Sequence, residues 1–238
     1  MQNIMSIFKR EFKAFFLSPI AYIFITVYLI ATTFLFFQGF FIMDQADMRG
    51  YFGILPWVFL FFVPAITMRS WAEEKKMKTL ELLLTWPVKD FEVVVGKFLA
   101  SFSLLVIVLL LSLTIPISIA IIGHPDVGQI IGQYIGSMLM GAAYVAIGLW
   151  VSSLTENQIV AFILGVVLTF VLFIIGHPFM TMVLPSAVVP LFTYIGLNSH
   201  FESIGRGVID SRDIIYYLSV IGFFLFLNVC SISSRKWE

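Results

Sequence analysis

Six long stretches without an internal charge constrain this chain more than any other feature: 19–41, 51–68, 98–122, 130–151, 159–175 and 214–232. A helix needs about 20 mostly apolar residues to cross the hydrocarbon layer of a bilayer. In lipid such a segment must satisfy its own backbone groups, which a helix does. The second and fifth stretches are short and are expected to extend at either end. With 60% hydrophobic and 12% charged residues, against about 25% charged in an ordinary soluble domain, the surplus apolar surface has to face lipid. The expected fold is all-α, a single polytopic membrane domain with six transmembrane helices. Net charge is zero, so nothing points to nucleic acid as a partner. Cys230, the one cysteine, excludes an intramolecular disulfide and any multi-cysteine metal site. It reads as a small packing residue.

Orientation follows from the basic residues in short loops. If the N-terminus lies inside, Lys9, Arg10, Lys13, Arg69, Lys75, Lys76, Lys78, Lys89, Lys97, Arg235 and Lys236 face the cytoplasm, and only Arg49, Arg206 and Arg212 face outward. The expectation is a multi-pass protein of the bacterial inner membrane with both termini cytoplasmic. The basic cluster ahead of the first apolar run is not read as a cleavable signal. That run exceeds the roughly 7–15 residues of a signal core, and no small-residue cleavage site follows it.

Three further segments carry organisation. In 1–17, Ile4, Ile7, Phe8, Phe12, Phe15 and Phe16 recur at spacings of three and four, with Lys9, Arg10, Glu11 and Lys13 between them. This predicts an amphipathic interfacial helix with its basic side towards lipid headgroups; a plain extension of the first span is the alternative. The fourth span holds Gly132 and Gly136 in a GxxxG pair, followed by Gly141, Ala142, Ala146 and Gly148. Small residues let helix backbones approach closely in lipid, within one bundle or, less commonly, between subunits. Before the last span, 177–213 is apolar but interrupted by Pro178, Pro185 and Pro190. Three prolines argue against one straight helix and for a broken, re-entrant hairpin and loop on the outer side, either an outer gate or a docking surface for a periplasmic or auxiliary partner.

The long loop 69–97 is charged at both ends, yet Leu80 to Trp86 is apolar and helix-favouring, and Pro87 ends that helix. A short amphipathic helix held at the surface wants either headgroups or a protein groove. The glutamates Glu73 and Glu74 could simply balance Lys75, Lys76 and Lys78 on a solvated face.

In sequence, Glu73-Glu74, Thr79-Leu80-Glu81-Leu82-Leu83-Leu84-Thr85, Pro87-Val88 and Gly96-Lys97 resemble the first cytoplasmic loop of type-2 ATP-binding-cassette (ABC) permeases. The similarity is greatest to the short permeases of the gliding-motility and copper-enzyme-maturation branch, and it extends over the whole chain. Lys78 stands where many relatives carry glycine. The resemblance implies a permease whose loop helix docks into a groove on a separate ATPase. Glu73, Glu74, Thr79, Glu81, Leu83 and Pro87 would then be coupling elements. Thr155 and Glu156, in the turn after the fourth span, would form a second cytoplasmic contact, and the N-terminal helix with Phe8, Lys9, Arg10, Phe12 and Lys13 would brace the same surface. It also implies two ATPase copies, which bind the ATP and magnesium, and a second permease subunit, identical or related.

No GxxxxGK[ST] phosphate loop is present; Gly96-Lys97-Phe98 lacks the first glycine and the hydroxyl. The chain itself is therefore not read as an enzyme and needs no cofactor. An ion-coupled secondary carrier is the rival reading, weakened because no Asp, Glu, Lys, Arg or His lies within the six stretches; Gln38, Gln129, Gln133 and Asn228 are its polar candidates. An intramembrane enzyme is disfavoured because His124, His177 and His200 lie apart on outer segments, without the short spacings of a zinc site. An ATP-driven scaffold that moves no substrate stays open.

Overall fold

The computed structural model describes residues 2–43, 47–79, 88–123, 125–183, 185, 187–205 and 210–234. Among them every regular element is helical. In chain order these are α1 (Gln2–Leu17), α2 (Ile20–Met43), α3 (Arg49–Thr67), α4 (Arg69–Lys76), α5 (Asp90–Leu111) and α6 (Thr114–Ile122). After them come α7 (Val127–Leu154), α8 (Gln158–Ile175), α9 (Pro178–Val183), α10 (Val189–Ile195), α11 (Leu197–Gly205) and α12 (Ser211–Ser234). Six units are long and apolar enough to cross a membrane: α2, α3 with α4, α5 with α6, α7, α8 and α12. The chain is an all-α, multi-pass membrane protein, as its hydropathy predicts.

The crossing helices divide by burial. In α7, 78% of the apolar window is buried inside the bundle, against 22% in α2 and α8 and 17% in α12. Helix α7 is thus the central post, packed by α3, α4, α5, α8, α11 and α12, while α2, α8 and α12 present apolar faces to lipid. Small residues on α7 allow this crowding. A Cβ on Gly141 would lie 2.8 Å from a Leu105 methyl, and one on Gly148 would lie 2.2 Å from Thr67 Oγ1. Gly136 faces Ile204 and Phe201 of α11, and Gly132 is buried on the same helix.

Two crossings are longer than hydropathy suggests. The second does not end at Met68. That residue keeps helical backbone (φ −54°, ψ −32°), its N–H donates to the Pro64 carbonyl at 2.9 Å, and the chain stays helical from Arg49 to Lys76. Trp71, Ala72 and Lys75 form a buried face of α4 against α7, so tertiary packing outweighs the local run of charge. The helix stops at Lys78, whose φ of 56° is left-handed backbone that favours glycine. The third crossing begins at Asp90 rather than near residue 98. Glu92 caps it by accepting from the Lys89 N–H at 3.2 Å, and the early start carries Lys97 into the helix. This crossing breaks at Ser112–Leu113, where Pro116 removes a ladder hydrogen bond.

The proline-rich segment forms the short helices α9, α10 and α11 at the other end of the bundle. It closes on α8 through a glycine crossing: a Cβ on Gly196 would lie 2.1 Å from Gly176 Cα, a distance only two glycines tolerate.

Candidate functional site

The site grows from one close approach. A Cβ on Gly96 would lie 2.7 Å from Ile7 Cγ2, so α1 lies directly on the start of α5. That contact sets Arg10 and Glu11 of α1 over Lys97, one residue further along α5. The Lys97 side chain is 1% exposed. Its ammonium has three donors and no acceptor, and all three find partners. It reaches Glu74 Oε1 at 2.8 Å and Glu11 Oε1 at 3.3 Å, and it donates to the Ser70 carbonyl at 2.8 Å. The Trp71 ring lies below it, 4.8 Å from Nζ. Arg10 completes the group, 2.6 Å from Glu11 and 3.5 Å from Glu74. Burial pushes the Glu11 carboxyl up, but Lys97 and Arg10 beside it outweigh burial and hold it below its ordinary value. One buried cation thus ties α1, α4 and α5 together. A cavity of about 230 Å³ opens beside the knot, lined by Phe15, Arg69, Glu73 and the acidic pair around Lys97.

The other side of α4 is fastened to the α7–α8 turn. Ser152 Oγ donates to the Met68 carbonyl at 2.9 Å and accepts from the Trp71 and Ala72 N–H groups at 3.2 Å each. Lys75 Nζ donates to the Ser153 carbonyl. At the same end, Ser233 of α12 donates to Asp90 at the start of α5, at 2.9 Å. Helices α1 and α4, the start of α5, the α7–α8 turn and the end of α12 therefore share one end of the bundle.

The residues singled out from sequence fall as follows. Glu73 and Glu74 are on α4, not in a loop. Glu73 pairs with Arg69 at 2.8 Å, and Glu74 is part of the buried knot rather than of a solvated face. Thr79 is exposed, its hydroxyl donating to the Glu74 carbonyl at 3.2 Å. Glu81, Leu83 and Pro87 lie outside the described residues. In the α7–α8 turn Thr155 is half-buried and Glu156 exposed, with Thr155 Oγ1 accepting from the Asn157 N–H at 3.2 Å. On α1, Phe8 stacks on Phe12 with centroids 5.6 Å apart, while Lys9, Arg10 and Lys13 are exposed. Gly132, Gly136 and Gly141 are on α7, away from this end. Sequence reasoning did not find Lys97, Arg10 and Glu11 as one unit. Among the described residues no group of three or more His, Cys, Asp or Glu is placed to hold a metal ion.

The family model of the ABC-2 family transporter protein matches residues 45–232. No curated protein matches the chain at a significant level. With six crossings and a family match from the start of α3 into α12, the chain belongs to the ABC-2 transporter family, the membrane-spanning permease components of ABC transporters.

Proposed function

We propose that this permease is driven by a separate ATPase that docks at the α1–α4 end and whose closure on ATP is passed to the bundle, for export or for mechanical work across the inner membrane. The observation that carries this reading is the Lys97 knot. The chain leaves α4 at Met77, directly after the knot, so force applied beyond that point would reach α1, α5 and α7 through buried ion pairs and hydrogen bonds. Most lysines and arginines of the chain cluster at this end, which favours the cytoplasm for it and puts it on the side where ATP is held. Thr79, Glu81, Leu83 and Pro87 are the docking residues in this reading. Glu73 and Glu74 anchor the segment from within, Thr155 and Glu156 supply a second contact, and Lys9, Lys13 and Phe8 hold α1 at the lipid surface.

Two ATPase copies and a second permease subunit, identical or related, complete the assembly. Helices α9–α11 then form the outer gate. The loop motif from Glu73 to Lys97 supports a place in the gliding-motility and copper-enzyme-maturation branch.

The test is purification of a tagged chain from its native host under gentle solubilisation. An ABC ATPase is expected to accompany it and to be lost in Leu83→Arg, a change outside the buried knot. A chain that purifies alone, with Leu83→Arg indistinguishable from wild type, overturns the coupling reading in favour of an ion-coupled carrier.

A further inference from the structure

The last carbonyls of a helix have to be served from outside it, and at the end of α10 side chains do this. The Thr193 carbonyl accepts from the Ser199 hydroxyl and the Ile195 carbonyl from the Tyr216 hydroxyl. Between them, the Tyr194 carbonyl lies 3.1 Å from His200 Nε2. On the other edge of the same ring, Nδ1 lies 2.7 Å from Asp213 Oδ1, in the first turn of α12.

Both contacts of this ring need a hydrogen. A carbonyl only accepts, and so does an ionised carboxylate. A neutral imidazole has one N–H and serves one of the two. Both form together only when the pair holds one proton more than a neutral imidazole beside an ionised carboxylate, whether that proton sits on Nδ1 or on Oδ1. The surroundings favour it. The side chains of His200 and Asp213 are 11% and 7% exposed, and His200 is the one cation paired with Asp213 among the described residues. An ionised Asp213 without it would be a buried lone charge. The Tyr216 ring stacks on the imidazole with centroids 3.8 Å apart, and an aromatic face attracts a cation. A cavity of about 400 Å³, lined by Thr193, Ser199 and the pair itself, lets water reach it.

Besides Asp213, the titratable groups that face His200 are Tyr194 of α10 and Tyr216 and Tyr217 of α12. Helix α7 brings Tyr144, which interacts with Tyr217. Arg49 of α3 and His177, just after α8, line a second cavity, of about 840 Å³, together with Glu202 of α11 itself.

We infer that His200 and Asp213 form a proton-held clasp that closes α10 against α11 and α12, and that the end of α10 is released as pH rises. The sign follows from the proton count. The closed clasp holds one proton more than the open one, so acid favours closure and alkali favours release. When the proton leaves, one N–H remains and Asp213 keeps it, because a hydrogen bond to a charged acceptor is the stronger. The Tyr194 carbonyl then faces a bare ring nitrogen. The neutral hydroxyls of Tyr216 and Tyr217 hold the Ile195 and Leu197 carbonyls irrespective of this proton. The α10–α11 junction therefore stays on α12, and α10 pivots about Gly196, which is pressed on Gly176. As control of the outer gate the clasp rests on the permease reading above; as a protonation site it rests on its own hydrogen bonds.

The test is a spin-label distance measurement on the purified full-length protein, with Cys230→Ser as background and labels introduced by Leu191→Cys on α10 and Phe223→Cys on α12. Both positions are exposed. Measurements at about pH 5.5 and about pH 8.5 span most of the range in which histidine changes charge. Between them, the ratio of any second distance to the one seen in acid is expected to rise at least about tenfold. One linked proton allows up to about tenfold per pH unit. Asp213→Asn separates the clasp from a merely structural contact. It supplies an amide that donates to Nδ1 while Nε2–H serves Tyr194, so both contacts form around a neutral ring and α10 should stay closed at both pH values. His200→Phe keeps a ring on Tyr216 but has no N–H, and should leave α10 released at both. His177→Gln should respond as wild type does. An unchanged wild-type distance overturns the inference, as does a pH response that survives in Asp213→Asn or His200→Phe. So does α10 released in a folded Asp213→Asn or closed in His200→Phe. The wild-type measurement needs no change at the clasp, so it decides even where a variant fails to fold. Co-purification of an ATPase is expected to be the same in wild type and variants, so failure of the clasp is distinguishable from failure of the coupling reading.

Discussion

Lys97 shows what a single residue contributes here. It is buried among packed helices, and it is tolerated because two carboxylates, a carbonyl and an indole ring meet it. Lys97→Met leaves Glu11 and Glu74 with the exposed Arg10 as their one shared cation among the described residues. Breaking a buried pair in this way costs about 3 kcal/mol, and a lowered unfolding temperature in detergent is the readout. Glu74→Gln in the same chain should recover part of that loss, because it removes the repulsion between two carboxylates left with only Arg10 between them. The pH dependence has a definite sign. The Glu11 carboxyl is held below its ordinary value of 4.5, so its contribution is complete above that value and is lost as pH falls through the lowered one. Protection of α1 from protease should therefore be level from neutrality to about pH 5 and decline below, with Glu11→Gln flattening the decline. None of this was legible in the sequence beyond the Gly96-Lys97 pair, because the partners lie 86 and 23 residues away and an isolated lysine before an apolar run reads as a loop boundary.

At the scale of the element, boundaries moved where packing overrode local polarity. The charged run after Met68 suggested a loop, yet Trp71, Ala72 and Lys75 have the spacing of one helical face, and that face is buried on α7. Charge content pointed one way and periodicity the other, and periodicity prevailed. The N-terminal helix was legible as an element from its three-and-four spacing, but its neighbour was not. Ile7 is buried against α5, so α1 is a docked helix as well as an amphipathic one. The contact depends on the absence of a side chain at 96. Gly96→Val is expected to displace α1 and expose the knot, detected as faster cleavage within 2–17 by added protease while α7 stays protected. The hairpin 177–213 was legible as broken from its prolines. Its closure by Gly176 against Gly196 was not, since nothing local marks two glycines 20 residues apart as neighbours. A second tie holds the hairpin: His200 lies 2.7 Å from Asp213 on α12 and 3.1 Å from the Tyr194 carbonyl, joining α10, α11 and α12.

For the whole molecule, the number of crossings and the fold class were the most legible features, because the bilayer enforces length and uniform apolarity on any segment that spans it. Which helix forms the centre was only hinted at by glycines, and helices α2, α8 and α12 could be told from α7 only by burial. The arrangement puts α1, α4 and the end of α12 on one side and α9–α11 on the other. The basic residues favour the first of these sides for the cytoplasm, and sidedness is open to direct measurement. With Cys230→Ser as background, Ser211→Cys should react with a membrane-impermeant maleimide in intact cells, and Thr79→Cys only after permeabilisation. The reverse pattern would invert the orientation and detach the knot from any cytoplasmic ATPase.

Fastened on both flanks, α4 is a stiff handle, and Thr67, just before it in the chain, is wedged into the notch at Gly148. The first compliant joint beyond that wedge is Pro64, one turn further along α3. From Pro64 the helix runs back to Arg49 as a lever arm of about 22 Å, at about 1.5 Å per residue. Rotation of about 10° at that joint sweeps Arg49 through about 4 Å on this arm. Such a hinge would turn a small stroke at the handle into a larger displacement at the opposite face, with α7 as the fulcrum.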